Sequence, residues 1–159
     1  MKDPATKLER AIQEAGSQYF RLVLLVGAQG SGKTATLRDM AQKTRWPLIN
    51  VNLELSKSML ELTRSQRPRQ VEPLLKQIIG AICGDVVLLD NLEILFDAGL
   101  EVDPLRLLQI LSRNRTIVAS WNGNYQDAAL TYAEPGHPEF IQLKHVEAIV
   151  VTVDPNVHG

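Results

Sequence analysis

The sequence predicts an α/β fold built on a largely parallel five-stranded sheet, and three observations predict it. Apolar runs of strand length alternate with stretches whose apolar residues recur at helical spacing, the order that builds successive βα units. One such run leads through a glycine-studded turn into a helical pattern, LVLLVGAQGSGKTATL from Leu22 to Leu37. Another, VVLL, ends in Asp90, which delivers a carboxylate to the strand end where open α/β sheets bind their ligands.

The elements follow in order. Leu8, Ala11, Ile12 and Ala15 make a short one-sided helix that Gly16 stops. Leu22 to Val26 is the first buried strand. The helix after the glycine turn puts Leu37, Met40 and Ala41 on one face and ends near Thr44, ahead of Trp46-Pro47. Leu48 to Asn52 reads as the second strand. Val71, Leu74, Leu75, Ile78, Ile79 and Ile82 form an i, i+3, i+4 stripe with Gly84 beyond it, the clearest helix in the chain. Val86 to Leu89 is the third strand. Asp103-Pro104 supplies a cap and a first-turn proline for a helix through Leu105, Leu108 and Leu111 to about Arg113. Thr116 to Ser120 and Ala148 to Val153 are the fourth and fifth strands. Between them, LTYAEPGHPEFIQL has two β-prone runs around Pro-Gly-His-Pro, the pattern of a small inserted hairpin. Ser56 to Gln70 is the least regular stretch.

A chain of 159 residues buries roughly 70% of the surface its unfolded form exposes and needs no staple. With no repeat, linker or low-complexity stretch, a single domain over residues 1–159 is expected. The single cysteine, Cys83, excludes an internal disulfide and is expected to be a small buried apolar residue. A formal charge of −1 gives no global attraction for nucleic acid, although local arginine clusters could supply one. No apolar run reaches the roughly 18 residues a membrane span requires, and MKDPATKLER has no leader pattern; the expectation is a cytoplasmic protein with no membrane partner. His137, His145 and His158 are too scattered for a metal site.

Gly27, Ala28, Gln29, Gly30, Ser31, Gly32, Lys33 and Thr34 match G-x-x-x-x-G-K-[ST] in full, in the strand-turn-helix setting that the phosphate loop of P-loop NTPases requires. Such a loop turns backbone N–H groups toward phosphate oxygens at the positive end of a helix. Lys33 would meet the β and γ phosphates, and Thr34 a magnesium ion. Asp90 would hold the same Mg2+, usually through water. The N-K-x-D stretch of guanine readers is missing from the sequence, which makes ATP the expected nucleotide.

The residue after Asp90 is Asn91, where many ATPases place the glutamate that activates water; an amide cannot take a proton as a carboxylate does. Glu93 and Glu54 are the carboxylates that could serve instead, each also readable as a surface residue. The expectation is tight binding with slow hydrolysis. Asn122 is a candidate sensor of the γ-phosphate, or simply a turn former before Gly123. Arg113 and Arg115, with Arg67 and Arg69, are candidates for a charge-neutralising finger supplied across a subunit boundary, or for caps on a helix C-terminus.

LINVNLELS with a nearby QRPR, VVLLDNLEILFD, DPLRLLQILSRNRTIVASW and LTYAEPGHPEF together resemble BrxF, the small P-loop protein family of type III bacteriophage-exclusion (BREX) systems in bacteria. The resemblance runs roughly from Leu22 to Val153. It implies an AAA+-like core without a helical lid domain, working in a multi-protein antiphage defence complex that separates host from phage DNA by methylation. It also implies self-assembly into a homo-oligomer or docking on other BREX proteins, with DNA as a further possible partner. The function that follows is an ATP-dependent switch controlling such assembly. Two alternatives stand beside it: a small-molecule or nucleotide kinase with Arg64, Arg67 and Arg69 as its cationic lid, and a DNA-binding adaptor holding a structural nucleotide.

Overall fold

A computed structural model describes residues 3–133 and 135–153. Five parallel strands carry the site: β1 (Leu22–Gly27), β2 (Leu48–Asn50), β3 (Val86–Asp90), β4 (Thr116–Gln126) and β7 (Ile149–Thr152), in the spatial order β2-β3-β4-β1-β7. The register sets Val23 beside Val118 and Ile149, and Leu48 beside Leu88. Every residue of β1 is buried, because the strand is covered on both faces. Leu22, Leu24 and Val26 pack with α3 (Val51–Ser58), α4 (Arg67–Gly80) and α5 (Pro104–Leu111). Val23 and Leu25 pack with α1 (Pro4–Ala15) and α2 (Lys33–Thr44). The sheet is thus the middle layer of three, and its C-terminal edge is left free for chemistry.

Caps and turns explain most element ends. Asp3 accepts from Thr6 N at the start of α1, and Asp103 from Arg106 N at the start of α5, which bears out the Asp-Pro cap. The second strand is shorter than its apolar pattern suggests. Asn50 Oδ1 accepts from Leu53 N at 3.0 Å and starts α3, so Val51 and Asn52 are helical. The irregular stretch from Ser56 is therefore helical at both ends, since α3 runs to Ser58 and α4 begins at Arg67. The polar first turn of α4, Arg67-Pro68-Arg69-Gln70, hid its start from the apolar stripe, which begins only at Val71. That helix ends at Gly80, leaving Cys83 in a loop and exposed, contrary to the buried position expected for it.

β4 runs to Gln126, six residues beyond the expected Ser120. Past Asn122 it leaves the parallel sheet and pairs antiparallel with β5 (Ala129–Tyr132), which pairs with β6 (Ile141–Lys144). The expected hairpin exists, and the long tail of β4 makes it three-stranded. Asp127 and Ala128 join β4 to β5 with φ of 53° and 61°, the twist a two-residue hairpin turn requires. Gly123 is forced to be glycine, because a Cβ there would overlap the Thr131 carbonyl. Among the described residues no helix is long and apolar enough to cross a membrane.

Candidate functional site

The phosphate loop leaves β1 at Gly27 and enters α2 at Lys33. Gly30 and Gly32 take φ of +80° and +102°, the left-handed region that any side chain would strain. A Cβ at Gly27 would meet Ser31 Oγ at 2.5 Å and the Val153 carbonyl at 3.2 Å. Lys33 is buried. Its Nζ donates to the carbonyls of Gly27 at 2.8 Å and Ala28 at 2.7 Å, with Ser31 Oγ at 3.4 Å. Burial pushes its pKa down from the ordinary lysine value, against the opposing charges of Asp90 and Glu93.

Thr34 and Asp90, 56 positions apart in sequence, meet: Thr34 Oγ1 donates to Asp90 Oδ2 at 2.7 Å. The other carboxylate oxygen, Oδ1, accepts from Ser120 Oγ on β4, also at 2.7 Å. Asp90 and Ser120 are both buried. A hydroxyl and a carboxylate side by side at the mouth of the loop are the hard oxygen donors magnesium takes, with water and phosphate completing its shell. The donor set therefore fits the ion.

Glu93 lies in a short 3-10 turn, Glu93–Phe96, that follows β3. Asn91 makes that turn possible with φ of +56°, a conformation asparagine tolerates better than most residues. Asn91 thus has a visible conformational part, and among the described residues its side chain makes no hydrogen bond. Glu93 is gripped from both sides. Asn122 Nδ2 donates to Oε1 at 2.8 Å and Asn52 Nδ2 to Oε2 at 2.9 Å. Asn52 is itself fixed, since its Oδ1 accepts from Ile94 N at 2.8 Å and its backbone N donates to Asn91 O at 2.9 Å. Asn122 stands opposite Gly27 in the register, so it is a strand residue beside the phosphate loop and no turn former.

The remaining candidates lie elsewhere. Glu54 is on α3, paired at 3.6 Å with Lys57, outside the Glu93 cluster. Arg115 Nη1 donates to the carbonyls of Ile79 and Ile82, each at 3.0 Å, and so caps the end of α4. Arg113 is exposed and lies over the Tyr19 ring at 4.5 Å. Both sit at the edge where β4 begins, opposite the phosphate loop, and neither reaches the loop of its own chain. Arg67 has its Nε buried without a partner among the described residues, at the start of α4. Asn52 and Ser120 were not singled out from the sequence. An N-capped helix directly after a short strand was the signal available for Asn52, whereas Ser120 showed only as a polar residue at the right sheet edge.

The family model described as ATPase family associated with various cellular activities (AAA) matches residues 23–112. No curated protein matches the sequence. Among solved structures, AMPPCP-bound DnaA from Aquifex aeolicus is similar at 16% identity with a TM-score of 0.46, covering 93% of this chain and 44% of that one. PCH-2 of C. elegans is similar at 19% identity with a TM-score of 0.43, covering 94% of this chain and 39% of that one. The chain thus spans less than half the length of either.

Proposed function

The chain belongs to the AAA family of ATPases, and we propose that it is an ATP-dependent switch whose hydrolysis is slow. The observation that carries the proposal is the meeting of Thr34 with Asp90 at the mouth of a complete phosphate loop. In this reading the loop amides from Gly27 to Thr34 hold the phosphates at the positive end of α2. Lys33 exchanges its two carbonyl partners for the β and γ oxygens. Thr34 and Asp90 hold magnesium, which when bound neutralises charge on those oxygens.

Glu93 takes the place of the missing glutamate. Attack forms a bond from a water oxygen to the γ-phosphorus, the bond to the β–γ bridging oxygen breaks, ADP leaves, and the water's proton passes to the Glu93 carboxylate. Slowness follows from the grip on that carboxylate, because each oxygen already accepts an amide hydrogen bond that must be disturbed before it takes the water's proton. Arg113, exposed at the far edge, is the better placed arginine to serve a neighbouring subunit, since Arg115 is occupied with α4. A homo-oligomer acting with phage-exclusion partners, and with DNA as a further contact, is the wider setting that the resemblance of DPLRLLQILSRNRTIVASW and LTYAEPGHPEF supports.

The test is thermal melting with ATP, GTP or neither, each with magnesium. A ligand at a hundredfold excess over its dissociation constant adds about 2.7 kcal/mol, roughly 5–10 °C for a domain of this size. ATP should raise the melting temperature of wild type and leave Lys33→Ala unmoved. No shift in wild type, or a turnover above about 10 per second, overturns the proposal.

A further inference from the structure

Beside the phosphate loop lies a cleft of about 1040 Å³, at the upper end of the range for small-molecule sites. Its floor includes Gly27, Ala28, Glu93 and Asn122, and its far wall is the three-stranded hairpin, with Tyr132, Glu139 and Phe140 facing in. Gly27 and Ala28 are also the residues whose carbonyls hold the Lys33 ammonium. Lys33 is the group that meets the outermost phosphates, so the cleft opens onto the γ end of a bound nucleotide.

The lining has a definite chemistry. Among the described residues it contains two carboxylates, Glu93 and Glu139, one histidine, and neither lysine nor arginine. The two asparagines that grip Glu93 orient its charge without cancelling it. Burial first, and then the charges of Glu93 and Glu139, push the Tyr132 hydroxyl up to about 12. Phe140 adds a half-buried aromatic ring to the lining, and Tyr132, 6% exposed and stacked on Phe96 at 3.4 Å, backs the cleft rigidly. A triphosphate at the open end adds further negative charge. The Lys33 ammonium behind the floor is engaged by the loop and its phosphates, so the rest of the lining favours an organic cation with a hydrocarbon body. A metal ion is a poorer fit, since no group of three metal-ligating side chains occurs among the described residues.

We propose that this cleft binds a free alkyl diamine, with its chain on Phe140, its ammonium groups toward Glu93 and Glu139, and its affinity set by the nucleotide's γ-phosphate. The proposal rests on the loop holding ATP. Because coupling between two sites is reciprocal, the amine would in turn favour the ATP-bound form over the ADP-bound one.

Cadaverine, a five-carbon diamine, is the probe. It is titrated calorimetrically into wild type, Glu139→Gln and Phe140→Ala, each carrying a nonhydrolysable ATP analogue, ADP or nothing, after melting shows the variants folded. Amine binding to the free nucleotide differs between the ATP analogue and ADP, so each is titrated without protein and subtracted. We expect binding about fivefold or more tighter with the ATP analogue than with ADP. Glu139→Gln should weaken it about fivefold, the factor one partly exposed ion pair supplies, and Phe140→Ala should weaken it as well. No binding to wild type, equal binding by Glu139→Gln, or indifference to nucleotide overturns the proposal while leaving the ATP switch intact. If the ATP analogue alone fails to bind wild type, the loop reading falls first. Sedimentation separates one more outcome: an ATP-bound oligomer that cadaverine dissociates would give the cleft to a basic side chain of a second copy, against a free amine.

Discussion

Ser120 Oγ donates to Asp90 Oδ1 at 2.7 Å, while Thr34 Oγ1 donates to Oδ2 of the same carboxylate. One oxygen is thereby tied back to β4 and the other aimed at the first turn of α2. Ser120→Ala should leave a buried carboxylate oxygen unpaired and free the group to rotate. Residues that orient a metal's ligands typically carry 10- to 100-fold in metal affinity. The magnesium concentration giving half-maximal ATP binding should therefore rise by about that factor, with Ser120→Thr restoring most of it. Equal magnesium dependence in Ser120→Ala and wild type would deny Ser120 this part.

Glu93→Gln keeps the size of the side chain and removes its basicity. General-base assistance contributes about 10²–10⁴ in rate, so single-turnover hydrolysis should fall at least about a hundredfold while ATP affinity stays within about twofold. An unchanged rate would transfer the proton acceptor elsewhere.

Lys33→Met should abolish the ATP-induced rise in melting temperature and remove a pH-dependent part of the nucleotide-free protein's stability. The sign follows from burial. Lys33 has a folded-state pKa below its unfolded value, so its charge disfavours folding at neutral pH. That cost disappears as pH rises through the folded pKa toward the ordinary lysine value of about 10.4. Between neutral pH and that limit the melting temperature of wild type should rise relative to that of the variant. A parallel pair of curves contradicts this account.

The two arginines of Ser-Arg-Asn-Arg-Thr should separate cleanly. Arg115→Ala leaves the Ile79 and Ile82 carbonyls without their donor and should cost about 1–3 kcal/mol in urea unfolding. Arg113→Ala removes only an exposed contact with Tyr19 and should cost under about 1 kcal/mol. If Arg113 serves a neighbour, its loss instead slows hydrolysis at high protein concentration and leaves the rate at high dilution unchanged.

What was legible in the sequence was what is local or periodic. The phosphate loop is a contiguous pattern, Asp90 ends an apolar run, and the caps at Asp103 and the stripe from Val71 depend on neighbours within a turn or two. The misread parts depend on distant partners. VNLELS fits a strand end or a helix start equally, and Asn50 decides between them by capping α3. β4 looked finished at Ser120 because Asn122-Gly123 resembles a turn, whereas Gly123 is there to let Thr131 approach. Ser120 with Asp90, and Asn52 with Glu93, pair across 30 and 41 positions, the first through strand register and the second through the packing of α3 on the turn after β3, neither of which a short pattern encodes. Cys83 was misplaced because the helix before it stops at Gly80, two residues short of Ile82, the end of its apolar stripe.

Asn52 occupies the opening turn of α3, the helix that carries Leu53 at 49% exposure and leads directly to Leu60 at 75%. The same amide fastens Glu93 and the Ile94 N–H. A tilt of α3 would shift that fastening, so the exposed side of the helix is linked through one amide to Glu93, the proton acceptor of the proposed reaction.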